Sequence, residues 1–259
     1  MMSDGLMTML KTLRLSGLGE SLEIRLHEAS TRGLTHREFL ELILQDELLV
    51  RNSRTISRRI TAACFRDMKR LEDFDFSFNT KIKKNRVYDL ATCHFIREKK
   101  DVLWLGPPGT GKSHLCQAIG VAAIRSGFTV YYRSIFDCVR DFLHDEAMDG
   151  HEKLVQRYLK PDLLIIDDMG MKQLPKRSGE YLFEIIMRRH ELHSTMMTSN
   201  RPLDDWGKLI GDVPSATAIL ERFLHRAELI QITGKSYRLE KNEKSSNSTK
   251  APTGSAVEE

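Results

Sequence analysis

The sequence predicts an α/β protein in which a parallel sheet flanked by helices carries a phosphate-binding loop and follows a small all-α N-terminal domain. Apolar segments of strand composition alternate with amphipathic helical segments from about residue 87 to residue 232, which is the pattern of a parallel sheet. A glycine-rich turn at 106–113 stands between the first of these strands and the next helix. A doubly wound sheet binds phosphate groups at that position.

Length and composition set the limits of this prediction. The 259 residues suffice for one α/β domain and a smaller unit. No apolar run approaches the roughly 18 residues that span a bilayer, and the N-terminus lacks the plan of a signal peptide, so we expect a cytoplasmic protein with no membrane partner. The four cysteines form no C-x-x-C pair, and neither a zinc site nor a disulfide framework is indicated.

The first 63 residues predict three or four helices and no catalytic site. Thr35 and Glu38 have the spacing of a capping box. Leu40, Leu44 and Leu48 recur at helical spacing, so we expect this stripe to be buried against neighbouring helices. We place the helical domain at 1–70, the α/β domain at 71–240 and a disordered tail at 241–259.

The segment 51–86 is strongly basic. It holds eleven Lys and Arg residues against four acidic ones, a net charge of +7. Such a cluster can neutralise nucleic-acid phosphates, although a solvated helix face would explain a single charged run equally well. The aromatic run 74–78 alternates and predicts a linker that packs onto the next domain or flanks an adenine ring.

The elements of the second domain follow in order from the hydrophobic pattern. Strands are predicted at 101–105, 128–132, 163–166, 195–199 and 228–232. Helices are predicted at 87–96, 112–125, 134–143, 152–159, 178–193 and 213–226, with a polar turn at Asp149 and Gly150.

The loop between the first strand and its helix has the complete pattern G-x-x-x-x-G-K-S. Gly109 and Gly111 lack Cβ atoms, so backbone N–H groups can approach phosphate oxygens. Lys112 supplies a charge to the β- and γ-phosphates, and the Ser113 hydroxyl is placed to bind Mg²⁺. The pattern arises by chance in roughly one per cent of chains of this length, but the preceding strand and following helix favour nucleotide binding. The predicted nucleotide-binding residues are Gly106, Pro107, Pro108, Gly109, Thr110, Gly111, Lys112, Ser113 and His114.

Polar residues follow two later apolar strands. Asp167 and Asp168 follow one, and Asn200 follows the next; the carboxyl ends of parallel strands meet at one edge of the sheet. Asp167 is placed to hold Mg²⁺, usually through water, and Asp168 to orient or deprotonate an attacking water. Asn200 can bond that water or a γ-oxygen. A helix cap or turn is the alternative for the acidic pair. The expected cofactors are ATP and Mg²⁺.

Other candidate sites are weaker. His190 and His193 lack the i, i+4 spacing of a zinc-protease helix, so a surface helix end is favoured. Cys116 and Cys138 lie on apolar helix faces and are interpreted as core residues. No Ser/His/Asp set is evident. A small-molecule kinase remains an alternative use of the phosphate loop, but neither a metabolite pocket nor a lid is indicated.

Four segments together resemble the IstB-type helper ATPases of bacterial insertion sequences, which are close to the DnaC helicase loaders in the AAA+ class. The segments are GPPGTGKSHL at 106–115, DLLIIDDMG at 162–170, TSNRP at 198–202 and AILERFLH at 218–225. The resemblance covers about residues 5–240, and LRLSGLGESL at 13–22 favours the transposition helpers over the loaders.

The resemblance implies an AAA+ ATPase that assembles as a homo-oligomeric ring or spiral on double-stranded DNA, with ATP at subunit interfaces, and recruits a cognate transposase. Asn200 matches the first sensor, Arg222 the arginine finger acting on the neighbouring subunit, and Arg238 a position sometimes assigned to a second sensor. A solvated surface arginine is the alternative for Arg222. Asp168 stands where AAA+ proteins commonly have Glu, which predicts slow hydrolysis.

The resemblance also locates DNA contacts on the helices inserted after the second strand. The residues it indicates are Arg133, Arg140, Lys153 and Arg157. The basic segment 51–86 remains the competing DNA-binding surface. A replicative helicase loader acting on single-stranded DNA is the alternative function.

Overall fold

The computed structural model describes residues 4–145, 151–170, 174–175, 178–211, 213–234 and 236–237. The helices are α1 Asp4–Thr12, α2 Ser16–Arg32, α3 His36–Ala63, α4 Lys84–Ala91, α5 His94–Arg97, α6 Lys112–Arg125, α7 Ile135–Asp145, α8 His151–Leu159, α9 Ser178–Arg189, α10 Trp206–Ile210 and α11 Val213–His225. The strands are β1 Asp101–Leu105, β2 Val130–Ser134, β3 Leu163–Met169, β4 Ser194–Ser199 and β5 Ala227–Gln231, and a 3-10 helix spans Leu203–Asp205.

The chain divides into two compact units at residue 61. The first unit is helical, as predicted, and Leu10, Leu22 and Ile43 form its core. The predicted capping box at the start of α3 is confirmed, since the Thr35 N–H donates to Glu38 Oε2 at 2.8 Å and the Glu38 N–H donates to Thr35 Oγ1 at 3.3 Å.

The predicted burial of the leucine stripe on α3 is wrong. Leu40, Leu44 and Leu48 are 57 %, 48 % and 60 % exposed. The buried face instead carries Ile43 and Glu47, one position earlier in each helical turn. The buried carboxylate of Glu47 accepts a hydrogen bond from the Leu18 N–H at 2.9 Å, so a polar contact fixes the orientation of α3 and an apolar stripe is left outside.

The second unit is built on a five-stranded parallel sheet with the order β2-β3-β4-β1-β5. This agrees with the predicted fold class. All five predicted strands are present, with ends displaced by up to three residues. Because β1 and β3 both pair with β4, the residues that follow these three strands meet at one edge of the sheet.

Helices cover both faces of the sheet, which explains the apolar strands. On one face, Leu103, Leu164 and Ile166 pack in a single core with residues of α7 to α11. On the other face α6 approaches closely: a Cβ on Gly120 would lie 2.9 Å from Ile165 Cδ1. The phosphate loop therefore continues into a helix held directly against the sheet.

Two features of this unit differ from the predicted elements. The helix predicted at 87–96 is two helices, α4 and α5, because Cys93 between them has a φ of 61°, a left-handed conformation that interrupts the helix. The short helix α10 was not predicted; Trp206 is fully buried there. The predicted turn at Asp149 and Gly150, Arg238 and the predicted tail at 241–259 lie outside the described residues.

Within the described part of the chain, no helix is long and apolar enough to cross a membrane.

Candidate nucleotide site

The loop between β1 and α6 has the backbone that a phosphate cradle requires. Gly109 and Gly111 have φ values of 79° and 98°, in the left-handed region that residues with a Cβ avoid. A Cβ on Gly109 would lie 2.0 Å from Ser236 Oγ, and one on Gly111 would lie 2.6 Å from Phe74 Cε2. Both conformation and space therefore require glycine at these positions.

Lys112 begins α6 and is only 4 % exposed. Its Nζ donates to Gly106 O at 2.7 Å and to Pro107 O at 2.8 Å, so the ammonium group lies within the loop that it is predicted to serve. Thr110 Oγ1 also donates to Pro107 O, at 2.9 Å, which closes the turn. The positive charge of Lys112 would therefore lie next to the phosphates of a triphosphate bound in this loop.

Ser113 and Asp167 lie side by side, as the sequence predicts for a magnesium site. The Ser113 hydroxyl donates to Asp167 Oδ1 at 3.0 Å, and Asp167 is fully buried at the end of β3. Hydroxyl and carboxylate oxygens are ligands that Mg²⁺ prefers. These two residues would hold the ion, which would compensate negative charge on the phosphates.

Three further donors orient the Asp167 carboxylate. Tyr132 OH donates to Oδ2 at 2.7 Å, while Thr198 Oγ1 and the Asp168 N–H donate to Oδ1. Burial, followed by the charge of Asp167, raises the pKa of Tyr132, so the phenol remains a donor. The sequence pattern did not single out Tyr132 and Thr198. The signal that could have indicated them is a polar side chain near the end of each strand that flanks β3.

Asp168 occupies an irregular position in the sheet. Ile166 pairs with Met197 but Met169 pairs with Ser199, so β3 has one extra residue at this point, a β-bulge. Asp168 has a φ of 64°, and its N–H also donates to Thr198 Oγ1 at 3.0 Å. Since such conformations cluster at functional sites, the bulge supports a specific task for this side chain.

Asn200 immediately follows β4 and lies between the ends of β1 and β3. Its N–H donates to Met169 O at 3.0 Å, which ties it to the strand that carries the two aspartates. The sheet order therefore brings Asn200 to the same edge as the phosphate loop. Arg222 is different: it is exposed on α11 and makes no hydrogen bond or ion pair with any described residue.

The segment after residue 70 contacts the loop, as the aromatic pattern suggested. The ring of Phe74 packs edge-on against the ring of His114, with centroids 5.2 Å apart. His114 Nε2 lies 3.0 Å from Arg70 O. Phe78 packs against Tyr237 with ring centroids 4.9 Å apart, and the Tyr237 N–H donates to Gly109 O in the loop at 3.0 Å.

The four predicted DNA contacts are not equivalent. Arg140, Lys153 and Arg157 are exposed on α7 and α8. The guanidinium of Arg133 instead forms an ion pair with Asp141 and is 19 % exposed. Arg133 is therefore held by its own subunit. Arg140 also pairs with Asp137, at 2.6 Å, but its side chain is 72 % exposed, so it can reach a partner, as can Lys153 and Arg157.

The remaining candidates have structural explanations. Burial raises the pKa of the Cys116 thiol well above its ordinary value and that of Cys138 to about 12, which agrees with their interpretation as core residues. His190, Glu191 and His225 lie close together. They precede β4 and β5 in the chain, so they lie at the edge of the sheet opposite the phosphate loop. They take no part in the nucleotide site.

The sequence matches a family model described as IstB-like ATP binding protein over residues 8–245. It is 35 % identical over 227 residues to a Geobacillus stearothermophilus protein named as an ATP-binding protein of insertion sequence IS5376, covering 88 % of this chain and 90 % of that protein. It is 34 % identical over 245 residues to the similarly named IS21 protein of Pseudomonas aeruginosa, covering 95 % and 92 %.

Solved structures with the same fold come from replication proteins. The replication initiator DnaA bound to AMPPCP and single-stranded DNA superposes with a TM-score of 0.57 at 21 % identity, covering 74 % of this chain and 58 % of that one. The helicase loader DnaC superposes with a TM-score of 0.50 at 22 % identity, covering 58 % and 90 %. At this identity the likeness concerns the fold, which is that of AAA+ proteins.

Proposed function

The chain belongs to the family of IstB-like ATP-binding proteins, and from this premise we propose that it is a Mg²⁺-dependent ATPase that assembles on double-stranded DNA and assists a transposase. The observation that carries the proposal is the side-by-side arrangement of Ser113 and Asp167, with Asp168 on a bulge beside them. This arrangement provides a metal position and a carboxylate at the end of the phosphate loop.

Hydrolysis assigns a separate task to each residue. The oxygen of a water forms a bond to the γ-phosphorus while the bond to the bridging oxygen breaks, and ADP leaves with the electron pair. Asp168 orients this water and accepts its proton, which then passes to the phosphate. Asn200 bonds the water or a γ-oxygen, and Lys112 compensates charge on the β- and γ-phosphates.

The DNA and transposase parts of the proposal have their own support. Relatives that cover about nine-tenths of this chain are named as ATP-binding proteins of insertion sequences, and moving such an element requires DNA strand transfer by a transposase. Arg140, Lys153 and Arg157 supply exposed positive charge on α7 and α8. We also propose that ATP is held between subunits, because Arg222 is exposed and forms no hydrogen bond or ion pair with a described residue.

Two substitutions at the nucleotide site test the proposal. Lys112→Ala should abolish ATP binding, since it removes the ammonium group from the loop. Asp168→Asn keeps the size of the side chain but removes its basicity, so ATP should still bind and hydrolysis should stop. Binding is measured with a fluorescent ATP analogue, hydrolysis by phosphate release, and assembly by the retention of duplex DNA in gels.

Asp204→Asn is the matched control, because Asp204 is an exposed carboxylate on the 3-10 helix after β4. It should bind and hydrolyse ATP as the unaltered chain does. Native hydrolysis by Asp168→Asn would show the catalytic assignment to be wrong. Preferential retention of single-stranded DNA would instead support the helicase-loader alternative.

A further inference from the structure

The segment 64–70, which directly follows α3 in the chain, packs against the nucleotide site. Phe65 lies 6.0 Å from Tyr132 between ring centroids, and a Cβ on Gly120 of α6 would lie 2.8 Å from Phe65 Cε1. The Asp67 N–H donates to Gln117 Oε1 on the same helix at 3.1 Å. The segment is therefore anchored on α6 on both sides of Arg66.

This anchoring brings Arg66 to the proposed catalytic carboxylate. Arg66 Nη1 lies 3.3 Å from Asp168 Oδ2, and the two side chains are 56 % and 24 % exposed. The Arg66 guanidinium thus contacts Asp168, while more than half of the side chain remains exposed to solvent.

We propose that Arg66 is a positioning residue that restrains Asp168 and releases it when DNA phosphates bind the guanidinium. The inference rests on the proposed function, since it assigns Asp168 to hydrolysis and DNA to the exposed basic groups. While Arg66 donates to Oδ2, that oxygen is engaged by a cation and is a poorer acceptor for the attacking water.

Because much of the Arg66 side chain is exposed, DNA phosphates can reach it and separate it from Asp168. An ion pair at the surface is weak because water and salt screen it, so a polyanion can compete for the arginine. Arg66 also belongs to the basic segment 51–86, whose net charge of +7 attracts phosphates to this part of the chain. DNA binding and ATP hydrolysis would then be coupled through one side chain.

The test compares steady-state ATP hydrolysis by the full chain and by Arg66→Ala, with and without a saturating linear duplex of random sequence. Without DNA, Arg66→Ala should raise kcat about two- to fivefold, the factor that corresponds to breaking a surface ion pair. KM for ATP should stay the same because the phosphate loop is untouched. The ratio of the rates with and without DNA should fall by the same factor.

Two variants separate this effect from a general disturbance. Arg66→Lys keeps a cation at the position and should remain close to the unaltered chain without DNA. Arg188→Ala removes an exposed arginine from an ion pair with Glu184 outside the site and should change neither rate. A purely structural role for Arg66 predicts a slower Arg66→Ala enzyme, not a faster one.

The outcomes also separate this inference from the proposed function. If the unaltered chain hydrolyses ATP, Asp168→Asn does not, and Arg66→Ala is no faster without DNA, the restraint by Arg66 is refuted while the ATPase assignment stands. If neither the unaltered chain nor Arg66→Ala hydrolyses ATP with or without DNA, both are refuted. A faster Arg66→Ala with an unchanged response to DNA refutes the release by DNA phosphates.

Discussion

Arg189 shows how strongly a single residue can be tied to the backbone of this fold. It is 1 % exposed and donates to the carbonyl oxygens of Tyr158, Leu159, Pro161 and Ser194 and to Thr195 Oγ1. These contacts join the residues before β3 to the start of β4. Burial lowers the pKa of Arg189 to about 9, which still leaves the group charged near neutral pH.

Replacing Arg189 by Met should therefore destabilise the chain strongly. The buried carbonyl oxygens would lose their donors, and removing one member of a buried polar network costs about 3 kcal/mol or more of unfolding free energy. The neighbouring Arg188 is the matched control, because it forms only surface ion pairs, which water screens, and its replacement by Met should change the unfolding free energy little. Urea denaturation measures both; equal losses would contradict the role of Arg189.

Asp101, at the start of β1, makes stability depend on pH. Burial raises its pKa to about 7, partly offset by a hydrogen bond from the Thr195 N–H and by the charge of Arg189. An unfolded chain releases this proton near pH 4, so the folded state binds the proton more tightly. Between about pH 4 and pH 7, this group therefore lowers stability as pH rises.

Asp101→Asn should remove this dependence. The amide oxygen can still accept the Thr195 N–H bond, which measures 2.6 Å with the carboxylate, and no charge has to be buried. Compared with the unaltered chain, the variant should gain stability above pH 7 and change little near pH 4. Thermal melts at the two pH values measure this difference; an equal shift at both would contradict the titration of Asp101.

At the scale of elements, the local sequence pattern predicted the strands and the phosphate loop. It did not predict which side chains tertiary packing buries. Arg188 and Arg189 are adjacent residues of the same type, and only the fold determines which one is buried. The same holds for α3, where Glu47 lies inside and Leu48 outside. The contact between Arg66 and Asp168 joins positions 102 residues apart, so no spacing rule could indicate it.

The candidate site was more predictable than these packing details. Ser113 and Asp167 were inferred to meet because parallel strands end at a common edge, and the structure places them in contact. The bulge at Asp168 and the donors Tyr132 and Thr198 were not inferred, because alternation along a strand cannot show where one extra residue is inserted. Motif and topology thus predicted which side chains meet at this edge of the sheet, and packing determined their orientation.

The helices α7 and α8 carry a prediction about DNA. Replacing Arg140, Lys153 or Arg157 singly by Gln should weaken duplex binding and reduce the slope of log affinity against log salt by about one each, if each contacts a phosphate. Arg133→Gln should leave the slope unchanged, because that guanidinium is paired with Asp141 and its side chain is only 19 % exposed. Fluorescence anisotropy between about 50 and 200 mM salt measures the slopes; unaltered slopes in all three variants would place DNA elsewhere.

At the scale of the whole molecule, the question is whether one subunit completes the site of the next. Arg222 lies on α11 beside Phe223, which is fully buried, yet its own side chain is exposed. Ile219 is buried on the same helix, so α11 is fixed to the core and holds Arg222 outward. This geometry suits an arginine that reaches the γ-phosphate of a neighbouring subunit.

Arg222→Ala should therefore leave ATP binding by an isolated subunit intact and reduce hydrolysis and ATP-dependent assembly on DNA. Arginine fingers contribute roughly 10³ to 10⁵ in rate in NTPases where they have been measured, because the guanidinium stabilises charge that develops in the transition state. Glu221→Gln, the exposed neighbour on the same helix, is the matched control and should behave as the unaltered chain.

Mixing two inactive variants tests whether the arginine acts between subunits. Arg222→Ala has an intact phosphate loop, and Lys112→Ala has an intact arginine, so an interface that combines the loop of the first with the arginine of the second is complete. Phosphate release should therefore reappear in the mixture and depend on the ratio of the two proteins. Native hydrolysis by Arg222→Ala alone, or a mixture that never recovers activity, would reduce Arg222 to a surface arginine.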